Sequence, residues 1–202
     1  MKKSIFFVAL AAMLFLGNNV NAQFRMNIGY TTNSFLADNN TIDGLPTTRG
    51  FFFGMAYNYA FWGELGIQVG LQGRYHWNNS DTQTGGKAKD QTVALDLPVL
   101  LNYRFEIADK FYITPMVGAN ISYALLGKTT TNPNTGTTEW YKDGAGNLDF
   151  KPFTVGLLMG LDISYCCMHL YWHINVIPSE IGKIAGEKVT GGQNFIGLGF
   201  DF

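Results

Sequence analysis

The stretch that decides the fold is Leu65-Gly66-Ile67-Gln68-Val69-Gly70-Leu71-Gln72-Gly73-Arg74-Tyr75-His76-Trp77. Its odd positions are aliphatic from Leu65 to Leu71 and aromatic at Tyr75 and Trp77. Its even positions are small or polar: Gly66, Gln68, Gly70, Gln72, Arg74 and His76. A period of two describes a β-strand whose two faces meet different surroundings. The same pattern runs through Phe24, Met26, Ile28 and Tyr30, and through Phe51, Phe53, Met55, Tyr57 and Tyr59. It returns at Val93 to Tyr103, Phe111 to Tyr123, Phe153 to Ile163, Leu170 to Val176 and Ile196 to Phe202. Together these are eight runs, with no charged residue on the apolar face. The opposite face carries Arg25, Asn27, Gln68, Arg74, Asp96, Asn102, Arg104, Asn120, Asp162, His173, Asn175 and Asp201, interleaved with glycines.

The spacers between runs alternate in length. Segments 60–64, 106–110 and 164–168 are tight turns, whereas 36–48, 78–90, 126–150 and 177–193 are longer and rich in Asn, Thr, Gly, Asp and Lys. That alternation fits an eight-stranded antiparallel up-and-down β-barrel, all-β and transmembrane, with short turns and both termini in the periplasm and long loops outside the cell.

Periodicity alone leaves two orientations open. A soluble lipocalin-like barrel would turn the apolar face inward. A membrane barrel inverts it, and three features favour inversion. The polar face is rich in Gly and poor in Lys and Glu. An eight-stranded barrel has an interior just wide enough for side chains, which a full set of Phe, Trp and Tyr would crowd. Aromatic residues also gather at both ends of the runs, as interfacial girdles do.

Composition agrees. Charged residues make up 14% of the chain, against about 25% in an average soluble domain. Lys2 and Lys3 precede an apolar core from Ile5 to Leu16, and Val20-Asn21-Ala22 resembles a cleavage site. We therefore expect a signal peptide over 1–22, Sec-type export, cleavage between Ala22 and Gln23, and a barrel domain over 23–202. Losing Lys2 and Lys3 takes the net charge from −1 to −3, which gives no basic footprint for nucleic acid. No later segment has the roughly 18 apolar residues of a spanning helix.

The stretch Leu95-Asp96-Leu97-Pro98-Val99-Leu100-Leu101-Asn102-Tyr103-Arg104-Phe105 resembles a strand of the outer membrane protein beta-barrel domain family, often labelled porin-family or PorT-like. Phe111-Tyr112-Ile113-Thr114-Pro115, with Val117-Gly118-Ala119, is similar to its next strand. The ending Phe195-Ile196-Gly197-Leu198-Gly199-Phe200-Asp201-Phe202 resembles a terminal strand read by the barrel-assembly machinery, with Phe200 and Phe202 as the signal. Size and strand count are similar to OmpX-type barrels and OmpA membrane domains. The resemblance implies the outer membrane of a Gram-negative bacterium, with its lipids as surroundings, and says little about activity.

Three classes of function remain. Arg25, Arg74, Arg104, Asp96, Asp162 and Asp201 all fall on the lumen face, and their charges cancel. They form either a selectivity lining for a small passive pore or a self-neutralising network that fills the barrel; the narrow bore favours the network. Trp140 and Tyr141, in the longest loop, are candidate anchors for an extracellular ligand or surface partner. The third class is an outer-membrane lipid-modifying enzyme. It would need a base oriented toward a nucleophile, and His76, His169, His173, Ser164 and Ser179 show no telling spacing. We expect no catalytic activity, cofactor or metal. Cys166 and Cys167 are adjacent in a short turn. A vicinal disulfide, two thiols, or pairing to another chain are equally compatible with that position.

Overall fold

The computed structural model describes residues 22–37, 40–41, 47–81, 87–132, 137–139, 148–184 and 187–202. The expected signal segment, apart from Ala22, and the loop residues Trp140 and Tyr141 lie outside the described residues. Eight long strands follow one another: β1 (Ala22–Ala37), β2 (Thr48–Trp62), β3 (Leu65–Asp81), β4 (Lys87–Tyr103), β5 (Phe111–Asn132), β6 (Phe153–Tyr165), β7 (Met168–Ile184) and β8 (Glu187–Asp201). Each pairs antiparallel with the next, and β1 pairs with β8 from Arg25↔Asp201 to Ala37↔Val189. The sheet is therefore closed and has no free edge, the arrangement in which a β structure satisfies its backbone in lipid. At the seam, the Phe202 amide donates to the Phe24 carbonyl at 2.8 Å, and the two rings lie 6.3 Å apart.

Burial settles which face is outside. Ile28 is 58% exposed, Phe51 60% and Trp172 55%, while Asp96, Asp162 and Asn175 are buried. A contiguous apolar outer surface of this extent is incompatible with water and calls for lipid.

The short turns sit where the periodicity places them, at Gly63-Glu64, Asp109-Lys110 and Cys166-Cys167. Gly63 has φ +56°, which glycine accepts freely; Lys110 (φ 61°) and Cys166 (φ 56°) adopt the same region with a Cβ. These two turns brace each other through the Cys166 amide, which donates to the Lys110 carbonyl at 2.9 Å. At the opposite rim the strands run well into the expected loops. β3 reaches Asp81 and β4 starts at Lys87; β5 reaches Asn132; β7 and β8 meet at Ile184 and Glu187. Hydrophobic alternation stops at the membrane edge, but backbone pairing continues into the polar segments.

The prolines sit where a missing donor costs least. The β3–β4 ladder skips from Val69↔Val99 to Gln72↔Asp96, leaving Pro98 in the gap. Pro115 lies just past Met116, the last β5 residue paired with β4. Pro152 lies in the bend before β6.

Candidate functional site

The interior is the candidate site, and its polar groups form two separate ion-pair clusters. In the short-turn half, Arg25 bridges two aspartates: Nη1 is 2.8 Å from Asp162 Oδ2, and Nε is 2.7 Å from Asp201 Oδ1. The same Nη1 donates to Gln68 Oε1 at 3.0 Å. His173 Nε2 meets Asp162 Oδ1 at 2.9 Å, and His169 Nδ1 lies 3.4 Å from Asp201 Oδ1. In the long-hairpin half, Arg74 Nε is 2.8 Å from Asp96 Oδ2, and Ser122 Oγ donates to Asp96 Oδ1 at 2.5 Å. Both aspartates and both arginines in the deepest pairs, Arg25–Asp162 and Arg74–Asp96, are buried. Taking such charges from water is costly, so each persists through its partner and its added hydrogen bonds.

Arg104 departs from the expected network. The strand breaks after Tyr103, and the Arg104 amide donates to the Glu64 carbonyl at 3.0 Å. Its guanidinium stacks 3.7 Å from the Tyr112 ring centre and reaches Gln23 Oε1 at 3.4 Å. It therefore lies at the short-turn mouth, beside a cavity of about 150 Å³ lined by Gln23, Asn58, Asn102 and Glu64. Among the described residues it pairs with no aspartate.

Between the two clusters lies something the alternation did not reveal. Phe52, Leu100, Met116, Leu158, Tyr171 and Phe195 form a buried apolar belt on the lumen side. Phe52 packs edge-on against Tyr171 and Phe195, with ring centres 5.8 and 5.5 Å away. It fits because Gly29 and Gly197 leave room: a Cβ on Gly197 would come within 3.0 Å of the Phe52 ring and 2.6 Å of the Ile28 carbonyl. Beside the belt, between Gln68 and Gln72, remains a cavity of about 20 Å³, room for about one water. Nearer the long-hairpin mouth, Phe35 and Phe150 (ring centres 5.8 Å apart) join Ile177 and Ile181 in a second buried apolar group. Arg74 and Ser122 border a cavity of about 60 Å³ below it. The lumen thus holds a few rings rather than a full aromatic set, and for Phe52 the neighbouring glycines supply the volume.

The histidines are all absorbed into this interior. His76 Nε2 lies 3.3 Å from Thr31 Oγ1, and His169 Nε2 is 2.9 Å from Asn27 Oδ1. Ser164 stands across the ladder from His169. The two ring nitrogens of His169 face Asn27 and Asp201, and no hydrogen bond among the described residues joins Ser164 to a histidine. Cys166 and Cys167 are exposed thiols at their turn, not bonded to each other.

A model of the outer membrane protein beta-barrel domain matches residues 11–175. The chain belongs to that family. Solved outer-membrane proteins are similar to this family member. Ail, the attachment invasion locus protein of Yersinia pestis, is similar with a TM-score of 0.50 and 15% identity, covering 91% of this chain and 100% of Ail. OprG from Pseudomonas aeruginosa gives a TM-score of 0.48 and 16% identity, covering 90% of this chain and 96% of that one. Neisserial surface protein A gives 0.43 and 16%, covering 89% and 97%. No match was found among curated protein sequences. Membership of the family places the barrel in the outer membrane of a Gram-negative bacterium, with the apolar columns of β1–β8 as its lipid-facing surface.

Proposed function

We propose that this barrel is a non-conducting outer-membrane scaffold, without catalytic activity, whose extracellular hairpins bind a partner or ligand. The carrying observation is the blocked interior. The belt around Phe52 and Phe195 separates the two ion-pair clusters, with a cavity of only about 20 Å³ beside it. A solute path would have to displace buried rings and break Arg25–Asp162 or Arg74–Asp96 contacts, each strongly held. The extension of β3, β4 and β5 beyond the apolar columns gives the outer side a strand-paired platform, a setting suited to recognition. The segment carrying Trp140 and Tyr141 is where a partner would be sought. The same reading includes Sec-type export, cleavage before Gln23, and delivery to the assembly machinery through Phe200 and Phe202.

Planar-bilayer recording of the folded protein tests this. The expected result is a bilayer without discrete steps when insertion is confirmed by the heat-modifiable gel shift. Reproducible steps that change when Arg74 or Asp96 is replaced would instead establish a charged filter and a pore.

Orientation has its own check. With the short turns in the periplasm, a large polyethylene-glycol maleimide added after mild reduction leaves Cys166 and Cys167 unmodified in intact cells. It modifies them once the outer membrane is permeabilised. Modification in intact cells would reverse the orientation.

A further inference from the structure

Each strand's outward apolar column ends toward the long-hairpin rim, and the outward residues just beyond it are unusually basic. They are Arg49 above Phe51 on β2, Lys89 and Lys87 above Val93 and Gln91 on β4, Lys128 above Leu126 on β5, and Lys151 before Phe153. Lys151 Nζ is satisfied by Glu180 Oε1 at 3.3 Å. Arg49, Lys89 and Lys128 have no ion pair among the described residues.

Register places these cations together. Arg49 pairs with Trp77, Trp77 with Gln91, and Gln91 with Lys128, so one row crosses four adjacent strands. Three strand spacings separate its ends, about 14–15 Å. Lys89, opposite Asn79, stands one outward step above the row. Trp77 within the row packs onto an aromatic shelf one outward step below, 5.3 Å from Phe51 and 5.8 Å from Tyr75, ring centre to ring centre. Gln91 Nε2 donates to the Tyr75 hydroxyl at 2.6 Å. Among the described residues the acids nearby are few. Asp90 alternates to the other face and is bonded by Thr129 at 2.6 Å; Asp81 and Glu139 stand in register with Lys87 and Lys128. The opposite rim differs, since Glu64, Glu106 and Asp109 are exposed there around Lys110.

We propose that this row holds the phosphate of an outer-leaflet glycolipid headgroup of the lipid A type, whose acyl chains lie on the apolar columns below. Three features select that occupant. The row sits directly above an aromatic girdle, the level of lipid headgroups. Its side chains point away from the barrel axis on a convex surface, where a membrane neighbour reaches them. Cations at that level attract anionic lipid. The inference rests on the orientation proposed above, which the cysteine modification tests separately.

The experiment uses the full folded barrel in phosphatidylcholine vesicles containing either diphosphoryl lipid A or the same lipid A after dephosphorylation. The thermal unfolding midpoint is read from the heat-modifiable gel shift. The wild-type midpoint is expected to be higher with the phosphorylated lipid. R49Q/K89Q/K128Q should lose that difference while keeping the wild-type midpoint in phosphatidylcholine alone, and Lys151→Gln should retain it. Equal wild-type midpoints in the two lipids, or a triple variant that keeps the difference, would overturn the proposal. Inositol hexaphosphate raising the midpoint in pure phosphatidylcholine as much as lipid A does would assign the row to a soluble polyanion and overturn the lipid occupant.

Discussion

Replacing Asp162 with alanine is expected to destabilise the barrel by about 3–5 kcal/mol, the cost of removing one partner from a buried charge pair. Asp162 is buried on β6 and serves two donors at once, Arg25 Nη1 at 2.8 Å and His173 Nε2 at 2.9 Å. Without it, Arg25 keeps Asp201 and Gln68, but one side of the guanidinium faces only protein. Arg25 is only 3% exposed, so little of the guanidinium is hydrated in place of the lost carboxylate. Asp162→Asn keeps the shape and an acceptor oxygen while removing the charge, and should fall between wild type and Asp162→Ala. Urea unfolding of the reconstituted protein, followed by the gel shift, measures both. A cost under about 1 kcal/mol for Asp162→Ala, the range of an exposed pair, would show that water enters this half of the lumen.

Much of this architecture could be read from the residues. The two-residue period in stretches such as Leu65–Trp77 identified the eight strands, their lipid and lumen faces and the three tight turns, because the pleat ties polarity to direction. It also placed Arg25, Arg74, Asp96, Asp162 and Asp201 in the interior. Three things were not legible. The division of those charges into two clusters depends on shear between strands that are distant in sequence: Arg25 and Asp162 lie on β1 and β6. Arg104 shares the phase of the lumen face but sits past the end of its strand, so its stacking on Tyr112 could not be read from periodicity.

The apolar belt was the third. Its members hide in the polar phase, at Phe52, Leu100, Leu158 and Phe195. A trace of them existed as apolar doublets and triplets that break alternation: Phe51-Phe52-Phe53, Leu100-Leu101, Leu157-Leu158-Met159 and Phe195-Ile196. Averaging polarity over a face conceals a single large ring set among glycines. Only register shows that Phe52 stands beside Gly29 in the ladder, and Gly29 beside Gly197.

That pairing of a large side chain with small neighbours gives the second large effect. Phe52→Ala should cost about 3–5 kcal/mol, as buried phenylalanine truncations do when the cavity cannot collapse. Collapse has little to work with here: Gly29 and Gly197 have no side chains to move inward, and the ladders on both sides fix the backbone. The adjacent Phe53→Ala is the matched comparison. Phe53 is 51% exposed on the outer face, where lipid chains can fill the space, whereas Phe52 is 2% exposed. Phe53→Ala should therefore cost clearly less. Both variants are compared by the same unfolding titration in vesicles, and a larger loss for Phe53→Ala would mean that the faces are inverted. The Phe52→Ala barrel should also remain electrically silent, since Phe195, Leu100 and both ion-pair clusters still occupy the interior. If it conducts, the ring of Phe52 is by itself the seal, and the remaining lumen residues line a path rather than close one.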